Sequence, residues 1–131
     1  MYIALMKTHM KAFRLIVVTL LSVMPGAIQV ASAASAQEGE ASYYADSFNG
    51  SVTASGELYD KNALSAAHRS LPLGTKVKVT YLKTGKSVIV MINDRGPYAK
   101  NRIIDISGAA AKKIGLIDAG HGRVRLEIIE P

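Results

Sequence analysis

The 131-residue sequence contains no cysteine and no tryptophan. Without cysteine the chain cannot form disulfides, a cysteine-ligated zinc or iron–sulfur site, or a thiol nucleophile. The length favours a single domain over two packed domains. Hydrophobic residues make up 49% of the chain, which argues against an intrinsically disordered protein.

Long hydrophobic runs are also missing, because the longest one spans only residues 15–24. Such a segment rises ~15 Å as a helix, against a bilayer core of ~30 Å, so a membrane anchor is disfavoured. Three basic residues precede the run, and Ala-x-Ala patterns ending at Ala33 and Ala36 follow it. This order is typical of a secretory signal peptide. We predict a signal peptide over residues 1–36 with cleavage after Ala36, cleavage after Ala33 being the alternative.

The predicted mature domain, residues 37–131, is only mildly basic. Three of the 16 basic residues and none of the 10 acidic ones lie in residues 1–36, so the net charge falls from +6 to +3. This charge suits an acidic polymer such as cell wall and is too weak and scattered for nucleic acid. An exported protein without cysteine indicates a periplasmic or secreted bacterial protein. We also expect no lipid anchor, because no cysteine stands at the cleavage point, and a monomer.

The patterning of the mature domain predicts short strands with one helix. Residues 76–81 and 123–128 alternate polar and apolar side chains, which indicates half-buried strands. Residues 87–92 are nearly all apolar, so this strand is expected to be buried on both faces and to form a hairpin with residues 76–81. Further elements are strands over 41–44 and 102–106 and a helix over 108–114, capped by Ser107 and ended by Gly115. We predict an all-β fold with a small added helix, closed into a barrel, because open sheet edges are prone to aggregate.

Polar residues concentrate in three segments, residues 53–59, 66–69 and 93–98. Asp94 ends an apolar strand, and a carboxyl group beside a low-dielectric core favours the protonated form that a general acid needs. The alternative is that Asp94 accepts backbone hydrogen bonds in the turn and pairs with Arg95. Glu57 is either a surface charge or the second carboxylate of a glycosidase-like pair.

For the remaining ionisable residues, their positions in the sequence favour structural roles. His68 follows two alanines, and a lone histidine is more often structural than catalytic. Asp105 is expected to satisfy N–H groups at the start of the helix, and His121 to lie in an exposed turn. No histidine or carboxylate pair has metal-ligand spacing, so neither a metal nor another cofactor is expected.

Most aromatic residues of the mature domain fall near the polar segments. Tyrosines in loops provide flat faces for sugar rings and a hydroxyl for hydrogen bonding, although ordinary packing is the alternative. The residues concerned are Tyr43, Tyr44, Phe48, Tyr59 and Tyr98.

Five segments carry a resemblance to a known family. They are Ala41-Ser-Tyr-Tyr44, Thr53-Ala-Ser-Gly-Glu57, Ala66-Ala-His-Arg-Ser-Leu-Pro-Leu-Gly74, Val90-Met-Ile-Asn-Asp-Arg-Gly-Pro97 and Arg102-Ile-Ile-Asp-Ile-Ser107. In this order they resemble the rare lipoprotein A (RlpA-like) family, over about residues 39–129. The resemblance implies a six-stranded double-psi β-barrel, a fold shared with expansins, so the fold alone does not decide function.

The resemblance also implies an activity. Active members resemble endolytic lytic transglycosylases, which cleave the bond between N-acetylmuramic acid and N-acetylglucosamine in peptidoglycan and leave a 1,6-anhydro end. The family motifs place the acid/base at Asp94, a supporting carboxylate at Glu57 and an orienting or sugar-binding imidazole at His68. Glycan strands are then the partner. The residues expected to bind substrate are Tyr44, Tyr59, Asn93, Arg95 and Tyr98.

Departures from the family pattern keep alternatives open. Ala45 replaces a usual glycine, Asn49 stands where histidine is common, and His121-Gly122 replaces a small apolar pair. A non-catalytic, expansin-like module that binds peptidoglycan or another polysaccharide is the main alternative. A secreted protein-binding barrel is a further one, and it would present an exposed apolar patch away from the groove.

Overall fold

A computed structural model describes residues 36–131, so the predicted signal peptide and its cleavage site lie almost entirely outside the described residues. Six strands, one α-helix and a short 3₁₀ turn at Asp46–Phe48 make up this part of the chain. The elements are β1 Ala36–Tyr43, β2 Ser65–His68, β3 Lys76–Tyr81, β4 Ser87–Asp94, β5 Arg102–Ile106, α1 Gly108–Ile114 and β6 His121–Glu130.

The six strands close into one barrel in the order β1-β5-β2-β4-β3-β6. Strand β1 runs parallel to β5 and β2 runs parallel to β4, whereas the other neighbours are antiparallel. A closed, mixed six-stranded barrel confirms the predicted fold class. Closure removes the open edges that a sheet of this size would otherwise expose.

The core lies inside the barrel and is built from alternate residues of most strands, whereas all four residues of β2 are buried. Its largest fully buried side chains include Val77 and Val79 of β3, Ile92 of β4, and Ile104 and Ile106 of β5. The hairpin of β3 and β4 and the helix over 108–114 confirm the predictions from patterning. The Ser107 side chain accepts a hydrogen bond from the Ala110 N–H, and Gly115 ends the helix in the left-handed conformation, with φ of 80°.

The prediction that β4 is buried on both faces was wrong. Ile89 and Met91 are exposed, because only one face of a strand in a closed barrel meets the core and no described element covers the other face. Strand β2 was not predicted, since its four buried residues end in polar side chains and are too few to show alternation. Ile128, expected on the inner face of β6 from the alternation of residues 123–128, is exposed, and the regular pairing of β6 with β3 ends at this residue.

Two structural predictions for ionisable residues were also wrong. Asp105 does not cap the helix, because strand alternation points it outward, where its Oδ1 accepts a 2.6 Å hydrogen bond from Ser42 Oγ. His121 is the first residue of β6 rather than a turn residue. Its side chain is exposed and bonds Glu40 of the adjacent β1.

Candidate active site

A groove of about 500 Å³ opens where β4 ends and where β1 leads into the 3₁₀ turn. Asp94 is the last residue of β4, so the strand places its carboxylate at the groove. The groove is lined by Ser42, Tyr43, Tyr44, Ala45, Phe48, Ala67, Asp94, Arg95, Gly96, Pro97, Tyr98, Arg102 and Asp105.

The two oxygens of the Asp94 carboxylate have different surroundings. Oδ1 accepts hydrogen bonds from the backbone N–H groups of Ala54 and Arg95, each at 2.9 Å. Oδ2 accepts a 2.6 Å hydrogen bond from the hydroxyl of Tyr44. Asp94 therefore does accept backbone hydrogen bonds in the turn. Within residues 36–131, however, it forms no ion pair with the Arg95 side chain.

Tyr44 is held beside Asp94 by aromatic packing. Its ring stacks on Tyr59 with centroids 4.3 Å apart and meets Phe48 edge-on at 6.2 Å. Burial, the hydrogen bond to Asp94, and the charges of Asp94 and Asp105 raise the pKa of Tyr44 far above its usual value of 10.0. The hydroxyl therefore keeps its proton at any physiological pH.

Tyr59 supports Tyr44 and offers no open face to a ligand. Its side chain is only 2% exposed, and its hydroxyl accepts a 3.1 Å hydrogen bond from the N–H of Gly108 at the start of α1. Burial raises the pKa of Tyr59, partly offset by that backbone hydrogen bond. Tyr59, which was predicted to bind substrate, therefore lies behind Tyr44 and not at the surface of the groove.

The other predicted binding residues differ in accessibility. Tyr98 lines the groove and is 82% exposed, so its ring is available for stacking. The backbone carbonyl of Asn93 accepts the Ser55 N–H at 3.1 Å, which ties the loop before Glu57 to the end of β4. The Arg95 guanidinium reaches away from Asp94, donating to the carbonyls of His68 at 3.0 Å and Leu71 at 2.7 Å.

His68 lies at the end of β2, 5% exposed, and does not line the groove. Its Nδ1 accepts the N–H groups of Ser70 and Leu71, both at 3.1 Å, so Nε2 carries the hydrogen and faces Gln37 Oε1 at 3.3 Å. Burial, with the nearby charges of Arg95 and Arg69, lowers the pKa of His68 below 6.5. The imidazole is therefore neutral and fixes the turn that Arg95 contacts.

Glu57 lies on the same loop as Ala54 but outside the groove wall. Its side chain is exposed, and its one side-chain hydrogen bond within the described part of the chain comes from the Ser55 hydroxyl, at 3.4 Å. The loop itself is tightly bonded, because the Glu57 carbonyl accepts from both the N–H and the hydroxyl of Thr53. The structure therefore joins Glu57 to Asp94 through the loop backbone rather than by direct contact.

Sequence reasoning missed a clamp formed by Arg69. Its Nε donates to the carbonyl of Pro97 at 2.6 Å, and its Nη2 donates to those of Ala99 and, at 2.7 Å, Arg102. These bonds hold the loop that carries Tyr98. Contacts of this kind leave no signal in a sequence, because every residue type has a backbone carbonyl.

The described residues contain no group of three or more histidine, cysteine, aspartate or glutamate side chains that could hold a metal ion. In the same part of the chain, no helix has the length and apolar character needed to cross a membrane.

Residues 36–126 match the model of a protein family described as lytic transglycolase. The chain belongs to this family. It is also similar to the probable endolytic peptidoglycan transglycosylase RlpA of Treponema pallidum, with 60% identity over 94 residues, which cover 72% of this chain and 30% of the relative. The RlpA of Pasteurella multocida is 55% identical over 95 residues, covering 72% of this chain and 32% of that protein. This RlpA-like chain thus spans about a third of the length of the relatives it matches.

Solved structures agree with the barrel fold at lower sequence similarity. The Streptomyces papain inhibitor has a TM-score of 0.59 and 24% identity, covering 72% of this chain and 94% of that one. The apo expansin of Clavibacter michiganensis has the same TM-score with 18% identity, covering 72% and 50%. At this identity the likeness establishes only the fold, a double-psi β-barrel.

Proposed function

We propose that this domain is an endolytic peptidoglycan lytic transglycosylase that cleaves between N-acetylmuramic acid and N-acetylglucosamine. The family and the named activity of its relatives support this proposal. The observation that carries it is the arrangement around Asp94, a carboxylate in an open groove with one oxygen fixed and the other shared with a hydroxyl. The substrate is a wall polymer, which fits the predicted export to the periplasm or beyond.

The two oxygens of Asp94 suit different tasks in this reaction. Two backbone N–H groups occupy Oδ1 and orient the carboxyl group, so the proton is exchanged at Oδ2. The hydroxyl of Tyr44 both donates and accepts, so it can turn to stabilise Oδ2 with or without the proton. A single carboxyl group so placed can serve as general acid and then as general base.

In the proposed reaction, protonated Asp94 gives its proton to the leaving O4 of N-acetylglucosamine while the C1–O4 bond breaks. The 6-hydroxyl oxygen of the muramoyl residue then bonds to C1, and its proton passes to Asp94. The products are a 1,6-anhydromuramoyl end and a free 4-hydroxyl. Asp94 ends protonated as it began, and no water is consumed.

The other predicted catalytic residues take supporting roles in this proposal. Glu57 is on the loop that provides the Ala54 N–H to Asp94, so it supports Asp94 through the loop backbone rather than from inside the groove. His68 acts through Arg95, whose side chain bonds the His68 carbonyl and whose N–H bonds Asp94. His68 is therefore a positioning residue.

A non-catalytic wall-binding module is the second candidate. The exposed aromatic rings of Phe48 and Tyr98 at the groove favour sugar binding, and the position of Glu57 outside the groove wall leaves Asp94 without a direct carboxylate partner. In that case Asp94 would contribute only hydrogen bonds to a bound sugar.

Mass spectrometry of soluble products from purified glycan strands, with and without stem peptides, separates the candidates. We expect 1,6-anhydromuramoyl ends that disappear in Asp94→Asn while binding to insoluble wall persists. Asp118→Asn, an exposed aspartate outside the groove, is the matched control and should keep full activity. Reducing ends would indicate hydrolysis by water. Binding without products from the unaltered protein would establish the binding module instead.

Tyr44→Phe tests whether the Tyr44 hydroxyl assists proton transfer at Oδ2 of Asp94. The variant keeps the ring that stacks on Tyr59 and removes only the hydroxyl. Loss of a hydrogen bond to a charged group costs about 1.5 to 3 kcal/mol, so we expect kcat to fall at least about tenfold. An unchanged kcat would show that the Tyr44 hydroxyl has no part in the proton transfer.

A further inference from the structure

The outer face of β1 carries a row of polar side chains that leads away from Asp94. Glu40 and Ser42 alternate with the buried Gly39 and Ala41 and therefore point out of the barrel, and Tyr44 follows directly after β1. At ~3.3 Å per residue, the row is about 13 Å long. Tyr44 at its end bonds Asp94, and the row continues in the opposite direction to Glu40.

Neighbouring strands widen this row into a polar track. On β5, Arg102 is in register with Glu40 and Asp105 with Ser42. On β6, His121 is in register with Ser42. Asp105 accepts from Ser42 and faces the Nε of Arg102 at 3.3 Å, and His121 bonds Glu40, so side chains of three strands meet along the track.

The far end of the track contains a second cavity, of about 360 Å³. It shares Ser42 and Arg102 with the groove that holds Asp94, so the two cavities are neighbours. The cavity is lined by Glu40, Ser42, Asn101, Arg102, Gly120 and His121.

The charged side chains at this cavity already have partners. Glu40 pairs with His121, and Arg102 pairs with Asp105. A charged ligand would have to break one of these pairs, whereas a neutral ligand with hydroxyl and amide groups would not. The side chain of Asn101 offers both a donor and an acceptor to such a ligand.

One buried hydrogen-bond donor at this cavity is unsatisfied. The Nε of Arg102 is the one buried side-chain nitrogen or oxygen among the described residues that has no hydrogen-bond partner, because its approach to Asp105 has poor hydrogen-bond geometry. A buried donor left unsatisfied is costly, so a small shift of the guanidinium toward an acceptor in either cavity is favourable.

We propose that the second cavity is a further saccharide-binding subsite, which holds an acetamido-sugar residue of the same glycan strand whose scissile bond lies at Asp94. This assignment rests on the proposed function. Asn101 and His121 bond the hydroxyl or acetamido groups of that residue, and Arg102 bridges the two cavities. Affinity therefore rises with strand length until the second cavity is filled.

Binding of peptide-free glycan oligosaccharides of graded length tests the subsite, measured by calorimetry on the Asp94→Asn protein. Adding His121→Ala or Asn101→Ala should weaken binding of an octasaccharide by about fivefold, the effect of one hydrogen bond. Neither change should alter binding of a disaccharide, which is too short to reach past the groove. Both residues are exposed, and two independent variants guard against a folding defect in one.

Arg125→Ala is the matched control. Arg125 pairs with Glu38 between the same two strands, β6 and β1, but lies outside the cavity, so this change should affect no ligand. Equal weakening at every length, or none at any length, would overturn the subsite while leaving cleavage intact. If no oligosaccharide binds and the unaltered protein cleaves no strand, the proposed function and the subsite both fail.

Discussion

His68 was predicted to be catalytic, and its role as a structural residue can be tested directly. Its Nδ1 accepts two backbone N–H groups, those of Ser70 and Leu71, and its ring is 5% exposed. The side chain therefore works as a neutral turn cap. His68→Leu removes the one acceptor that both N–H groups share, whereas the amide oxygen of His68→Asn can take the place of Nδ1.

The magnitudes follow from the lost hydrogen bonds. Two unsatisfied N–H groups cost about 1 to 1.5 kcal/mol each, so His68→Leu should lose about 2 to 3 kcal/mol of unfolding free energy. For a domain of this size, that corresponds to a fall in Tm of roughly 10–20 °C. His68→Asn should stay within about 1 kcal/mol of the unaltered protein at pH 7.5.

The same histidine predicts how stability changes with pH. Because burial and the charges of Arg95 and Arg69 lower the pKa of His68 in the folded state, the unfolded chain binds the proton more readily. The stability that His68 contributes is thus complete above the unfolded pKa of 6.5. It is lost as the pH falls below 6.5 through the folded pKa. His68→Asn should remove this part of the pH dependence.

Urea denaturation from pH 7.5 to pH 4.5 measures both effects, with Asn62→Ala as the control because Asn62 is exposed and carries no ionisable group. That control should keep the acid-dependent loss of the unaltered protein. If His68→Asn also keeps it, His68 is not the group that titrates. If His68→Asn folds normally and binds glycan but cleaves none, the imidazole acts on the substrate and the positioning role is refuted.

Two further predictions concern the groove wall and the helix. The Arg69 guanidinium donates hydrogen bonds to several carbonyls of the loop that carries Tyr98. Arg69→Lys replaces it with a single ammonium group, which cannot make all of these bonds, so this side of the groove should become more mobile. We expect KM for glycan strands to rise about fivefold with kcat unchanged, and a fall in kcat alone would contradict this. Ser107→Ala removes a fully buried hydroxyl that donates to the Ala63 carbonyl at 2.6 Å and accepts the Ala110 N–H. Urea denaturation should show a loss of about 2 kcal/mol, and a loss below about 0.5 kcal/mol would mean that water replaces both bonds.

Local patterns were sufficient for the elements whose determinants are close in sequence. The alternation in residues 76–81 and the apolar run in residues 87–92 predicted the hairpin, because cross-strand pairs act between segments that are close in sequence. Ser107 and Gly115 predicted the bounds of the helix for the same reason, since capping is a property of its own termini. Barrel closure, by contrast, left the outer face of β4 exposed, which its apolar sequence did not indicate.

The candidate site shows the same division. The sequence by itself determined that Asp94 ends a strand whose inward residues are buried, at a sharp turn, and that aromatic residues lie near it. Only the tertiary structure decided its partners. The hydroxyl of Tyr44 and the N–H of Ala54 come from segments 50 and 40 residues away, brought together because β1 and β4 both open onto one groove. The structure likewise placed Glu57 outside the groove, buried His68 as a turn cap and turned Asp105 toward Ser42. Contacts of this kind depend on the register of the barrel strands and on backbone carbonyl and N–H groups. Neither can be recognised from the side chains of a short sequence segment.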